Sequence, residues 1–226
     1  MARFARFGLF GALLAALCLP AQAGVIFFTD WASFSAAAPG LPVEDFEEGV
    51  IGPGSVSACP SPLDITTDNF CFASGSILAG IQFASSDNPT DGLAITGDGF
   101  GGIVSKAIFA NYFVDTLVIS LTSPASAIGF DAYNYNGTGL SVQVYDTEGG
   151  LLGSTSIPAG FPGATFFGVI SDSGPIGRVT LDGSGGAEGV DNVAFGLANA
   201  VPEPATTALL GAGLMGLLVW RRRAAR

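Results

Sequence analysis

The chain has 226 residues, 19 of them acidic, eight basic and none histidine, and carries a formal net charge of −11 at neutral pH. Without histidine it has no Ser-His-Asp or Cys-His catalytic arrangement and no histidine-containing zinc site. Its acidity excludes nucleic acid and anionic lipid surfaces as partners.

Residues 1–23 read as a secretory signal peptide. Arg3 and Arg6 give a positive start, Leu9 to Leu19 is a short apolar run, and Ala21-Gln22-Ala23 is a small-x-small cleavage site. Residues 24–200 then form one cargo domain. It carries 18 of the acidic residues against Lys106 and Arg178 alone, so its own net charge is −16. Cys59 and Cys71 remain after removal of the signal. In an oxidising compartment they are expected to form a disulfide across a loop containing Pro60, Pro62 and Asp64.

Along the cargo, Val25–Phe28 reads as a strand. Thr29 or Asp30 can cap a short helix running to Ala38, with Trp31 and Phe34 on one face. Val43–Glu47, Asn69–Ala73 and Ile77–Phe83 read as further strands. The second half alternates more regularly: Thr116–Leu121, Ala127–Tyr133, Leu140–Tyr145, Leu151–Ile157, Phe166–Ile170, Arg178–Leu181 and Val190–Phe195. Short strands separated by Gly, Pro and Asp turns, with no long amphipathic helix, predict an all-β antiparallel sandwich with one short N-terminal helix. Asn134–Gly139 reads as a polar loop. Tyr133 at its edge and Tyr135 within it, flanking Asn134 and Asn136, are candidate stacking surfaces for a glycan ring.

After the cargo comes Val201-Pro202-Glu203-Pro204, then sixteen uncharged residues, 205–220, then four arginines within the last six positions. At ~1.5 Å per residue the uncharged stretch spans roughly 24 Å, a short transmembrane helix held by Trp220 and the basic end. The prolines mark its outer edge. These three parts in this order resemble the PEP-CTERM sorting signal of Gram-negative bacteria. The resemblance implies recognition of Pro202, Glu203 and Pro204 by a membrane protease-transpeptidase of the exosortase type. It also implies a route from the inner membrane, facing the periplasm, to the cell surface, and a link to exopolysaccharide and biofilm.

Two acidic segments stand out in the cargo, Glu44-Asp45-Phe46-Glu47-Glu48-Gly49 and Val190-Asp191-Asn192-Val193. Phe-Glu-x-Gly early and Val-Asp-Asn-Val late resemble the termini of jelly-roll carbohydrate-binding modules, where a structural calcium often joins the two ends. That resemblance implies Glu47 and Asp191 as calcium ligands, with Glu44 and Asp45 as secondary ones. The function expected is a non-enzymatic surface or matrix protein with a structural or adhesive role. Two alternatives are a glycan-binding module and a carboxylate-dependent polysaccharide hydrolase. The hydrolase needs two carboxylates facing one cleft.

Overall fold

The computed structural model describes residues 24–137 and 139–198. The signal peptide, the Pro202-Glu203-Pro204 edge and the apolar stretch 205–220 lie outside the described residues. Among those described, no helix is long and apolar enough to cross a membrane.

Thirteen strands and one α-helix make the fold: β1 (Val25–Phe28), α1 (Trp31–Ala37), β2 (Val43–Glu44), β3 (Val56–Cys59), β4 (Ile81–Ser85), β5 (Leu93–Thr96), β6 (Ala107–Ala110), β7 (Leu117–Leu121), β8 (Ala127–Tyr135), β9 (Leu140–Asp146), β10 (Leu151–Ile157), β11 (Thr165–Ser171), β12 (Ile176–Asp182) and β13 (Ala187–Gly196). Every strand pairing is antiparallel. The larger sheet runs β1-β11-β8-β13-β6-β5-β3, with β2 also on β13, and the smaller runs β10-β9-β12-β7-β4. The two sheets enclose one main core, in which Phe46, Phe72, Phe83, Phe130 and Phe167 are the largest fully buried side chains. The expected antiparallel sandwich is the observed architecture.

Alternation along β8 sets what each face of the large sheet carries. Ile128, Phe130 and Ala132 face the core between the sheets, while Ala127, Gly129, Asp131, Tyr133 and Tyr135 face outward. The outward face is not bare. Helix α1, capped by the Asp30 carboxylate accepting the Ser33 N–H at 2.8 Å, lies across one end of it. Phe34 anchors the helix there, fully buried against Phe28 and Phe166. It fits because its partners on the sheet are the cross-strand pair Gly129 and Gly168. A Cβ at either would come within 2.8 Å of the Phe34 ring.

Three strand expectations are corrected. Val43–Glu47 shortens to Val43–Glu44, because Phe46 turns into the left-handed region (φ 56) to bury its ring on Phe83. Asn69–Ala73 is a loop, since the Asn69 carboxamide oxygen accepts the backbone N–H groups of Cys71 and Phe72. Ile77–Phe83 begins pairing only at Ile81. Strands β3, β5 and β6 were not expected.

The disulfide expected between Cys59 and Cys71 is present. It ties the end of edge strand β3 to the Asn69–Phe72 loop. Replacing both cysteines by alanine should lower unfolding free energy by about 3 kcal/mol, the loop-closure value for a ring of this size. Denaturant unfolding of oxidised wild type against the double variant measures it.

Candidate functional site

Strand β13 pairs with β8 along one side, and its other side serves two partners. Gly189 and Val190 pair with β6, while Val193 and Ala194 pair with β2. Between the two lies a bulge: β13 advances three residues, Asp191 to Ala194, while β8 advances two, Asp131 to Gly129. Asn192 absorbs the extra residue at φ 51, a conformation that asparagine tolerates better than most side chains. The early acidic segment and the late Val-Asp-Asn-Val segment therefore do meet, through β2 and β13.

The bulge gathers polar groups on the outward face. Asp191 and Asp131 sit directly opposite each other across β13 and β8. The Asn192 amide bridges them, donating to Asp131 Oδ2 at 2.9 Å and Asp191 Oδ2 at 3.3 Å. Ser105, just ahead of β6, donates its hydroxyl to the Asp191 carboxylate, and the Asn192 N–H donates to Asp191 Oδ1. Next along the chain, the Lys106 N–H donates to Glu47 Oε1 at 3.0 Å, while Lys106 Nζ donates to the Glu47 carbonyl at 2.6 Å. Lys106 and Glu47 also form the one ion pair among the described residues, at 3.8 Å. Glu47 is too exposed for that pair to contribute more than ~1 kcal/mol, so the bonds to backbone fix the geometry.

The four carboxylates expected at a calcium site thus divide into two groups. Glu47 is engaged by Lys106, and Asp191 by Ser105 and Asn192. Glu44 is buried and accepts the N–H groups of Phe46 and Leu78, at 2.9 and 2.7 Å. Its carboxylate oxygens come together instead with those of Asp45 and the exposed Glu48, all within 4.8 Å. Burial is the main cause that raises the Glu44 carboxyl above its usual range.

The tyrosines are also divided. Tyr133 is on β8, and the strand runs on through Tyr135, so Asn134 and Tyr135 belong to it and not to a loop. Tyr133 is only 4% exposed, packed against Phe109 and Phe161, which corrects its expected role as an open stacking surface. Tyr135 stays half-buried. It stacks on the exposed Phe113 and, with Phe100 and Phe109, lines an apolar groove of about 160 Å³. The open platform that sequence reasoning missed is Trp31. It is 45% exposed and sits edge-on to Phe166 at 5.6 Å. Trp31, Phe166 and Val43 wall a recess of about 380 Å³ whose polar lining is Asp131 and Asn192. Asp191 is fully buried beneath, so one carboxylate of the pair lines the recess.

Residues 200–223 match the PEP-CTERM protein-sorting motif. The matched stretch includes Pro202-Glu203-Pro204, the apolar segment and Arg221 to Arg223. It leaves the whole sandwich outside. No curated protein matches the chain. Solved structures that resemble it are carbohydrate-binding modules. One is a mutant of a family 29 module, 14% identical, covering 66% of this chain and 99% of that one, with a TM-score of 0.37. Another family 29 mutant, complexed with mannohexaose, is 14% identical over 73% and 98% of the two chains, at a TM-score of 0.35. TmCBM61 in complex with β-1,4-galactotriose is 13% identical over 52% and 88%, at 0.34. Likenesses this loose transfer neither a ligand nor a residue's role.

Burial pushes the Asp191 carboxyl up to about 7, with Asp131 and Glu47 adding to the rise and the Ser105 and Asn192 hydrogen bonds opposing it. A carboxyl raised in the folded state binds its proton there more tightly than in the unfolded chain. Its contribution is therefore largest below about pH 4 and declines as pH rises to about 7. With chelator present, the melting temperature of wild type should fall across that window and level off above it. Asp191→Asn should make the fall shallower, leaving the part that the buried Glu188 contributes over the same window.

Proposed function

We propose that this chain is an exported surface or matrix protein, sorted through its C-terminal motif, whose sandwich holds extracellular polysaccharide on the outward face of the large sheet. The match of residues 200–223 to a protein-sorting motif carries the export half of this reading. In it, an exosortase-type protease-transpeptidase recognises Pro202-Glu203-Pro204 in the inner membrane and releases the cargo to an exopolysaccharide-rich surface or biofilm.

The binding half is supported by the Trp31 recess. Trp31 offers an apolar platform for the C–H face of a pyranose, and Asp131, held by Asn192, accepts from its hydroxyls. From Asp131 to Tyr135 along β8 is about 13 Å at ~3.3 Å per residue, the length of a short run of sugar units, and it joins the recess to the Tyr135–Phe113 groove. The chemistry is retention without turnover.

Two experiments test the halves separately. Cell fractionation with intact-mass analysis should find a surface or released product cut near Pro202-Glu203-Pro204 and lacking Arg226. A product retaining Arg226 in the inner membrane would defeat the sorting claim. In affinity electrophoresis against a panel of neutral polysaccharides, Trp31→Ala and Asp131→Asn should each weaken retention about tenfold, the equivalent of ~1.4 kcal/mol. Retention equal to wild type in both variants counts against this face.

A further inference from the structure

At the end of the sandwich remote from α1, β8 turns into β9 and β12 turns into β13. Here two polar side chains occupy core positions. Asn134 and Glu188 are direct cross-strand partners on β8 and β13, and both are 0% exposed. Asn134 is in phase with Ile128, Phe130 and Ala132, so it faces between the sheets.

Their hydrogen bonding is half complete. The Asn134 amide donates to the Gly139 carbonyl at 2.7 Å and to the Gly183 carbonyl at 3.4 Å. Glu188 Oε1 accepts the Leu117 N–H at 3.0 Å. Asn134 Oδ1 and Glu188 Oε2 have no partner among the described residues. Buried acceptors are rarely left so, because each has given up its water without a replacement donor.

The two oxygens share a target. A Cβ placed on Gly183 would lie 2.9 Å from Glu188 Oε2, 3.2 Å from Asn134 Oδ1 and 3.2 Å from the Gly186 carbonyl oxygen, and these are its three nearest atoms. A Cβ on Gly186 would collide with Asn134 Oδ1. Glycine at both positions keeps this spot clear. Above it, residues 136–137, 139 and 183–186 rim an opening of about 410 Å³ that leads to solvent.

One carboxylate, one carboxamide and one backbone carbonyl converging beneath this glycine-rimmed opening make a hard-oxygen donor set. We propose that Glu188 Oε2, Asn134 Oδ1 and the Gly186 carbonyl form an inner-sphere calcium site, completed by water through the glycine-rimmed opening, that locks the β8–β9 and β12–β13 loops together. Burial raises the Glu188 carboxyl to about 7, and the negative charge of nearby Asp182 adds to the rise. The site is separate from the Glu44–Asp45–Glu48 cluster and from the bulge at Asp191.

The test is thermal melting of the purified full chain in detergent at pH 7.5, stripped with chelator and then titrated with calcium chloride, with calorimetric titration to count ions. Wild type should gain a saturable rise in melting temperature and bind an ion that Glu188→Gln does not. Glu47→Gln should respond as wild type does. Asn134→Asp should move the response to roughly tenfold lower calcium, and Gly183→Ala, which fills the cradle, to higher calcium; these two decide the matter if Glu188→Gln does not fold. No calcium response in wild type overturns the proposal, as does a response kept by Glu188→Gln or lost only in Glu47→Gln. Stabilisation by acid alone, with no calcium effect at pH 7.5, assigns the spot to a shared proton and also overturns it.

Discussion

The divided edge of β13 is the constraint on which the rest of this face depends. One strand must satisfy β8 on its left and, on its right, first β6 and then β2. Two short partners cannot abut without a gap in the hydrogen-bond ladder. The bulge at Asp191–Asn192 fills that gap. Beside it two backbone N–H groups donate to carboxylates, Asn192 to Asp191 and Lys106 to Glu47, while the Ser105 hydroxyl and the Asn192 amide hold the Asp191 and Asp131 carboxylates in place. A polar seam on an otherwise apolar outward face is the direct result. On its two flanks lie Trp31 with Phe166 and the aromatic cluster around Tyr133, so the seam is framed by rings without being covered by them.

Much of the fold was legible where local chemistry and tertiary packing agree. Asp30, Trp31 and Phe34 announced α1 because cap and buried face sit at helical spacing. Strands β7, β9 and β12 were legible because one of their faces is buried and the other is not, which leaves period-two alternation. Strands β5 and β6 carry no such signal. Every residue of Leu93–Thr96 and Ala107–Ala110 is buried, so their sequences read as brief apolar patches between glycines. Asn69–Ala73 misled in the opposite sense, since Cys71 and Phe72 reach the core from a loop held by the Asn69 side chain, while Phe70 stays exposed.

The site was legible only as an adjacency. The acidic segment near β2 and the Val-Asp-Asn-Val of β13 were expected side by side, and they are. Which carboxylates point together was not legible, because it depends on the left-handed turn at Phe46 and the bulge at Asn192, both set by what the rings and strands beyond them need. Tyr133 looked open because Asn134 and Asn136 made its surroundings read as a loop, whereas Phe109 and Phe161 cover it from distant parts of the chain. A signal for the Asn134–Glu188 pair was present all along. Asn134 continues the phase of Ile128, Phe130 and Ala132, and a polar residue in core phase asks for a partner.

The disulfide has a consequence for how two copies of this domain can meet. Strand β3 is a free margin of the large sheet, and such margins invite exchange with the same strand of a neighbouring copy. Because Cys59 closes that strand and is bonded to Cys71, β3 cannot leave without dragging the 60–70 loop and the buried Phe72 with it. Exchange of β3 between two copies therefore requires this part of the core to open first.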